Sequence, residues 1–365
     1  MDKKLIQIVL FIAGNAIGAG VLGLPVALGG VGFLPSFLAI FILYVAMLYT
    51  GQILADFVIE TRSFDLPSLF RKTLGKPGMI IFAIAYFTLF FCLLVAYWTG
   101  LGSIFSGISF PCRGALLLFV AVLLFHGFRS IGPLNVLLTG GFMVAFGALI
   151  FSIFQVKGEA FAGIGDLGIL NHSLAVILCS YGFHGAVPFI CRQLDFDRKS
   201  IGKAIIWGTF FPFLFNVAIL WVSFRALRPE ELSWGLAQGL PVFAILSQKE
   251  GMQLCELWGQ IFSFFAIITS LIGVSLSVGN ALQDCFSGKV MKLPILGITV
   301  FLPFAISAYN PSIFIRTLEF AGGIFLNIIA GILPLIAKIR AKKNNLFRDI
   351  ALLIVFFYIL VATVL

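Results

Sequence analysis

A chain of 365 residues that is 61% hydrophobic and only 11% charged cannot be an ordinary soluble domain, which runs near half apolar and about a quarter charged. Its apolar residues fall in runs close to or above the ~20 residues that cross a bilayer, so composition predicts a polytopic membrane protein. The net charge of +9 is then assigned to loop lysines and arginines that set orientation, not to a nucleic-acid surface.

In chain order the short basic start, Met1-Asp2-Lys3-Lys4, runs into a long apolar segment. No small-residue cleavage site follows, so an uncleaved first helix is expected. The hydropathy pattern predicts eleven transmembrane helices, at about 5–29, 33–59, 78–105, 114–128, 134–155, 171–194, 204–226, 256–285, 293–308, 312–337 and 347–365. The inner loop after helix 2, Arg62 to Phe70, is amphipathic enough for a short interfacial helix. The outer loop 227–255 has room for a short helix over the outer mouth; plain connectors are the alternative for both. With the N-terminus in the cytoplasm, 18 of the 24 lysines and arginines fall on the inner side and six on the outer. That bias predicts a cytoplasmic N-terminus and, with an odd count, an outer C-terminus. The chain reads as one transmembrane domain, 1–365, in the cytoplasmic (inner) membrane.

Two segments break helices inside apolar runs. One is Gly14-Asn15-Ala16-Ile17-Gly18-Ala19-Gly20, continuing through Val21-Leu22-Gly23-Leu24-Pro25. The other is Ser180-Tyr181-Gly182-Phe183-His184-Gly185-Ala186-Val187-Pro188. Backbone freed from a helix cannot face lipid, because its N–H and C=O groups would lose their partners. Paired Gly/Pro-interrupted spans at matching places in two halves point to a transporter's substrate site. Helices 1–5 (about 5–155) and 6–10 (about 171–337) would have opposite topology, giving a 5+5 inverted repeat with 347–365 as an added helix. Gly29-Gly30, Gly140-Gly141 and Gly322-Gly323 fit ordinary close helix packing instead.

Other chemistries find little support. The six cysteines, Cys92, Cys112, Cys179, Cys191, Cys255 and Cys285, show no metal-ligand spacing. Only Cys112 and Cys255 could meet outside the membrane, and no disulfide is expected. No nucleophile–base pair or metal cluster points to an enzyme, and no cofactor is implied. A channel would need a ring of charges or carbonyls.

Gly14-x-x-Ile17-Gly18-Ala19-Gly20-Val21-Leu22-x-Leu24-Pro25, followed by Gly30-x-Gly32-Phe33, resembles the first helix of the bacterial hydroxy and aromatic amino acid permeases. Ser180-Tyr181-Gly182-Phe183-His184-x-x-x-Pro188 resembles their sixth helix. The run Phe264-Phe265-Ala266-Ile267-x-Thr269-Ser270-x-x-Gly273-Val274 resembles their eighth. Phe301-Leu302-Pro303 and Phe320-Ala321-Gly322-Gly323 are similar to their ninth and tenth. The likeness is greatest to tyrosine- and tryptophan-specific permeases of the amino acid–polyamine–organocation superfamily. It implies a leucine-transporter-type all-α fold and proton-driven import of an aromatic amino acid. Tyrosine permeases usually carry threonine where this chain has Asn15. Asparagine there resembles eukaryotic sodium-coupled neutral amino acid transporters, so a sodium-coupled or broad neutral carrier is the alternative.

An amino acid zwitterion needs partners for both charges away from water. A half-helix starting near Gly18-Ala19-Gly20 offers bare N–H groups and a positive dipole end to the carboxylate. Carbonyls near Ala13-Gly14 and Ser180-Tyr181 suit the ammonium. The expected substrate-binding set is Gly14, Asn15, Ile17, Gly18, Ala19, Gly20, Tyr86, Phe90, Ser180, Tyr181, Phe183 and Phe320. Tyr86, Phe90 and Leu93 share a face of helix 3. His184 is the histidine in a break and the expected proton carrier. Ala13, Thr269 and Ser270 form the rival cation site, although both hydroxyls also suit bonding within their own helix. Glu319 and Arg316 read as a local pair at the outer mouth, Asp56, Glu60 and Asp284 as interfacial pairing residues, and Asn216, Gln260 and Asn327 as interhelical glue.

Overall fold

The computed structural model describes residues 3–63, 65–104, 117–118, 121–122, 131–154, 163–248, 253–285, 297–342 and 345–365. Among these the structure is helical, without strands. The helices are α1 (Lys3–Ala16), α2 (Ala19–Ala27), α3 (Phe33–Thr61), α4 (Leu66–Ile104), α5 (Ile131–Phe154), α6 (Leu170–Cys179) and α7 (Val187–Gln193). They continue as α8 (Arg198–Ala226), α9 (Pro229–Ala237), α10 (Val242–Leu246), α11 (Gln253–Cys285), α12 (Gly297–Tyr309), α13 (Phe314–Arg340) and α14 (Leu346–Val364).

Among the described residues seven helical segments are long and apolar enough to cross a membrane, or eight if the bent pair α1 and α2 counts as one span. Shorter apolar helices at Gly140–Ser152 and Gly297–Tyr309 lie where the fifth and ninth spans were expected. The expected fourth span, 114–128, and Cys112 lie largely or wholly outside the described residues. α4 begins at Leu66, so helix does occupy the segment after α3, and it kinks at Gly75, whose φ of 83° only glycine adopts easily. The connector after α8 carries two short helices, α9 and α10.

Packing places the broken segments centrally. α1 lies along α8, whereas α2 is buried throughout against α6, α8 and α9. α4 packs on α11 and α13, and α5 on α11. The face of α1 carrying Ile6, Leu10, Phe11, Gly14 and Asn15 is exposed. α13 opens into a π-helical stretch at Ala321–Ile332, where a side chain on Gly322 would strike the Ala175 carbonyl oxygen of α6. Glycine is what permits that backbone approach. α14 docks by Asn327 Nδ2, which donates to the Phe356 carbonyl at 2.8 Å, and by a buried Lys338–Asp349 pair at 3.0 Å. At one end of the bundle Lys4 pairs with Asp195 at 2.9 Å and Arg198 with Asp56 at 2.7 Å, joining α1, α3 and α8 to the turn after α7. These pairs are exposed, so each is worth at most about 1 kcal/mol.

Candidate functional site

The first break is shorter than the glycine pattern predicts. α1 continues to Ala16 and α2 starts at Ala19, with a bend of 51° across Ile17 and Gly18. Gly14 and Asn15 therefore remain helical, a correction to the expected unwinding. The Ala13 carbonyl accepts the Ile17 N–H at 3.0 Å, so it is not an open acceptor as expected. Glycine and proline mark a weak place in a helix, but the packed neighbours decide which peptide gives way. Gly18 is extended (φ −142°, ψ −154°), and no side chain caps α2. The first-turn N–H groups of α2 thus lack an intrahelical or side-chain partner, apart from Val21 N, which reaches the Gly18 carbonyl at 3.2 Å.

The second break follows Cys179. Ser180 N folds back to Val176 O and Ile177 O, and a single 3-10 turn at His184–Ala186 leads into α7, with Pro188 at its start. The two breaks touch. A Cβ on Gly20 would lie 3.0 Å from Ser180 N and 3.1 Å from Cys179 C and Ser180 Cα. At Gly18 the side chains of two other helices converge. A Cβ there would lie 3.4 Å from Ser270 Oγ of α11 and 3.5 Å from Tyr97 OH of α4.

The predicted residues divide accordingly. Ile17, Gly18, Ala19, Gly20, Ser180 and Ser270 are gathered at this junction. Asn15 is exposed, and its Nδ2 donates back to Phe11 O at 3.0 Å. Tyr86 and Phe90 pack edge-to-face at 4.5 Å, beside Phe82 and Phe87. Phe320 is 42% exposed. Thr269 donates within its own helix to Phe265 O and Ala266 O. His184 is buried on the α3 side of the second break. Its Nε2 lies 3.0 Å from Thr50 Oγ1 and its ring 4.4 Å from that of Phe183. Tyr181 is also buried, 6.1 Å from the Tyr44 ring. Sequence reasoning missed Tyr97. The signal was present, because the face through Tyr86, Phe90 and Leu93 reaches Tyr97 at its next step. Among the described residues no group of His, Cys, Asp and Glu is arranged to hold a metal ion.

This arrangement brings uncapped helix ends, carbonyl-rich turns and two hydroxyls to one place inside an apolar bundle. It can bind a small dipolar solute by backbone and hydroxyl groups, without a fixed side-chain charge.

Comparison with known proteins agrees. Tyrosine-specific transport system 2 of Haemophilus influenzae is 26% identical, covering 94% of this chain and 90% of its own length. The tryptophan-specific transport protein of Shigella flexneri is 27% identical over 92% of this chain and 86% of its own. Glutamine transporter 2 of Aliivibrio fischeri is 24% identical over 94% and 91%. The profile of the tryptophan/tyrosine permease family, a family of transporters and not of enzymes, matches residues 1–364. This chain, an integral membrane protein with touching broken helices, belongs to the tryptophan/tyrosine permease family.

Proposed function

We propose that this chain is a secondary active transporter that imports an aromatic amino acid, tyrosine foremost, across the cytoplasmic membrane by proton symport. Its architecture on this reading is a 5+5 inverted repeat with α14 added. The observation that carries it is the contact of the two breaks at Gly20 and Ser180. The substrate carboxylate sits on the first-turn N–H groups of α2, near the Ser270 and Tyr97 hydroxyls. The ammonium faces the carbonyls of the Ser180–Phe183 turn. α2, buried throughout, closes the route on one side of the junction. The lysine and arginine bias makes the opposite side, towards Lys3 and Lys4, the cytoplasm.

Substrate class rests on the names of the relatives. The glutamine-transporting relative gives the broader reading a specific footing. In proteoliposomes, unlabelled tyrosine, tryptophan and phenylalanine are expected to compete with labelled tyrosine far better than glutamine, serine or alanine. Equal competition by glutamine would replace the aromatic assignment with a broad neutral one.

His184 is the proposed proton carrier, held against Thr50. His184→Gln keeps a polar side chain of similar reach but cannot titrate. It is expected to retain tyrosine exchange between two equal pools while losing accumulation driven by a pH gradient. Accumulation at the wild-type level in that variant would discard the assignment. The rival is sodium held near Gly18 by Ser270. It would be favoured by uptake that follows a sodium gradient at equal pH and survives a protonophore.

A further inference from the structure

The glycines that follow α2 meet a partner outside the substrate site. Beyond Ala27 the chain turns through residues 28–32 before α3 begins. Opposite them, residues 163–166 lead through a 3-10 turn, Leu167–Ile169, into α6. The two stretches join backbone to backbone. The Gly165 N–H donates to Val31 O and the Asp166 N–H to Gly30 O, each at 2.9 Å. Two glycines make room for this. A Cβ on Gly165 would strike the Gly30 carbonyl oxygen, and one on Gly32, whose φ is +92°, would strike the Gly163 carbonyl oxygen. Each stretch thus places a carbonyl where the other lacks a side chain. Beside this clasp the Ser173 hydroxyl of α6 donates to Ala27 O, at the end of α2, at 2.6 Å. α2 and α6 therefore run antiparallel, meeting at Gly20 and Ser180 at one end and at the clasp at the other.

We propose that the clasp of Gly30-Val31 on Gly165-Asp166 is a positioning device: it sets the register of α2 against α6, and with it the spacing of the two groups that hold the substrate. The carboxylate sits on the first turn of α2, and the ammonium faces the turn that follows α6. A slide or tilt of one half-helix along the other would part those two partners. Contact at the junction alone does not prevent it, because Gly20 has no side chain to interlock with Ser180. A second fixed point at the far ends does. The four clasp residues touch no substrate themselves. They act on a zwitterion only because its two charges are held by two different half-helices, and orientation of this kind is worth most when both ends must be met at once. This inference rests on the reading that the touching breaks bind the substrate.

The test uses the full chain in proteoliposomes with labelled tyrosine. Asp166→Pro deletes the N–H given to Gly30 O, while the φ of −79° at this position suits proline. The bond from Gly168 N to the Asp166 carboxylate is lost as well. Asp166→Ala loses that bond too but keeps the backbone N–H, so the pair of variants isolates the clasp. Asp166→Pro is expected to raise the KM for tyrosine about three- to tenfold, the worth of one hydrogen bond, and Asp166→Ala to stay within about twofold of wild type. The second readout is inhibition by tyramine, which lacks the carboxylate, and by 4-hydroxyphenylpropionate, which lacks the amine. Each engages one half-helix only, so its inhibition constant should be the same in Asp166→Pro and wild type. General damage to the fold would weaken all three compounds alike, and that result overturns the proposal. So does an unchanged tyrosine KM in Asp166→Pro, or an equal rise in Asp166→Ala. Should Asp166→Pro not reach the membrane, Gly165→Ala decides by the same readouts, because its methyl group forces the Gly30 carbonyl away. Gly20→Val separates the two levels of argument. If it binds tyrosine normally, the breaks are not the site, and this inference falls with them. If it does not, while Asp166→Pro behaves as wild type, only the role of the clasp falls.

Discussion

Transport is expected to be lost in Gly20→Val and reduced in Gly20→Ala, with both proteins reaching the membrane. The methyl of alanine would already sit 3.0–3.1 Å from backbone atoms of Cys179 and Ser180, tighter than van der Waals contact. Those atoms belong to the second break and have no rotamer with which to yield, so the two broken helices must part. Valine adds two further methyl groups to the same place. Overpacking of this kind costs about 1–3 kcal/mol. Here the displaced atoms are also those proposed to carry the substrate, so tyrosine affinity should fall by at least about tenfold. Gly18→Ala is expected to be milder. Its methyl would make ordinary contacts with Ser270 Oγ and Tyr97 OH, and its φ of −142° suits any residue. Gly202→Ala, in open space on α8, serves as the control. Equilibrium binding of labelled tyrosine, alongside quantified membrane expression, checks the series. Equal affinity in Gly20→Val and wild type would remove the junction from the binding site.

The second large effect concerns how α14 is held. Asp349 is fully buried and Lys338 nearly so, and their charges lie 3.0 Å apart. Tyr49 of α3 bridges them. Its hydroxyl donates to Asp349 Oδ1 at 2.5 Å, accepts from Lys338, and accepts from Arg348 at 2.7 Å. The Arg348 guanidinium lies 4.0 Å from the Tyr49 ring centroid. Removing one partner of a buried pair leaves an uncompensated charge and costs about 3–5 kcal/mol. Asp349→Asn should therefore lower the thermal stability of the detergent-solubilised protein markedly, and Lys338→Met should do so as well. Combining Lys338→Met with Asp349→Leu should restore much of the loss, since apolar replacement of a buried pair is often neutral or better. A double variant no more stable than the singles would show that the pair does more than balance its own desolvation.

Much of this was legible in the residues. Long apolar runs with few charges could fold only as membrane helices, because a bilayer leaves the backbone no other way to pair its polar groups. Gly18, Gly20 and Pro188 marked where those helices would be weakest. The interhelical role expected of Asn327 is met by its bond to Phe356. Other features were out of reach. The face through Tyr86, Phe90 and Leu93 runs on to Tyr97, but in a helix apolar all round nothing said which aromatic residue along it would stand at the breaks. The Lys338–Asp349 pair on the consecutive helices α13 and α14 is bridged by Tyr49 of α3, about 300 residues away in sequence, and no spacing rule connects Tyr49 to them.

What the sequence determined by itself is the solvent and the chemistry: a chain for the bilayer, with two interrupted helices whose freed N–H and C=O groups need a ligand or a cavity. What only the tertiary structure decided is the address of each side chain. α8 and α11 press on α2, and the bend falls at Ile17 and Gly18 while Asn15 stays helical. α3 covers the second break, so His184 meets Thr50 on that side. Ser270 and Tyr97, drawn from two other helices, meet at Gly18. Local pattern sets where a helix can yield. Which atoms then stand opposite the opening depends on how the neighbouring helices rotate and cross, and that is fixed by packing over the whole bundle.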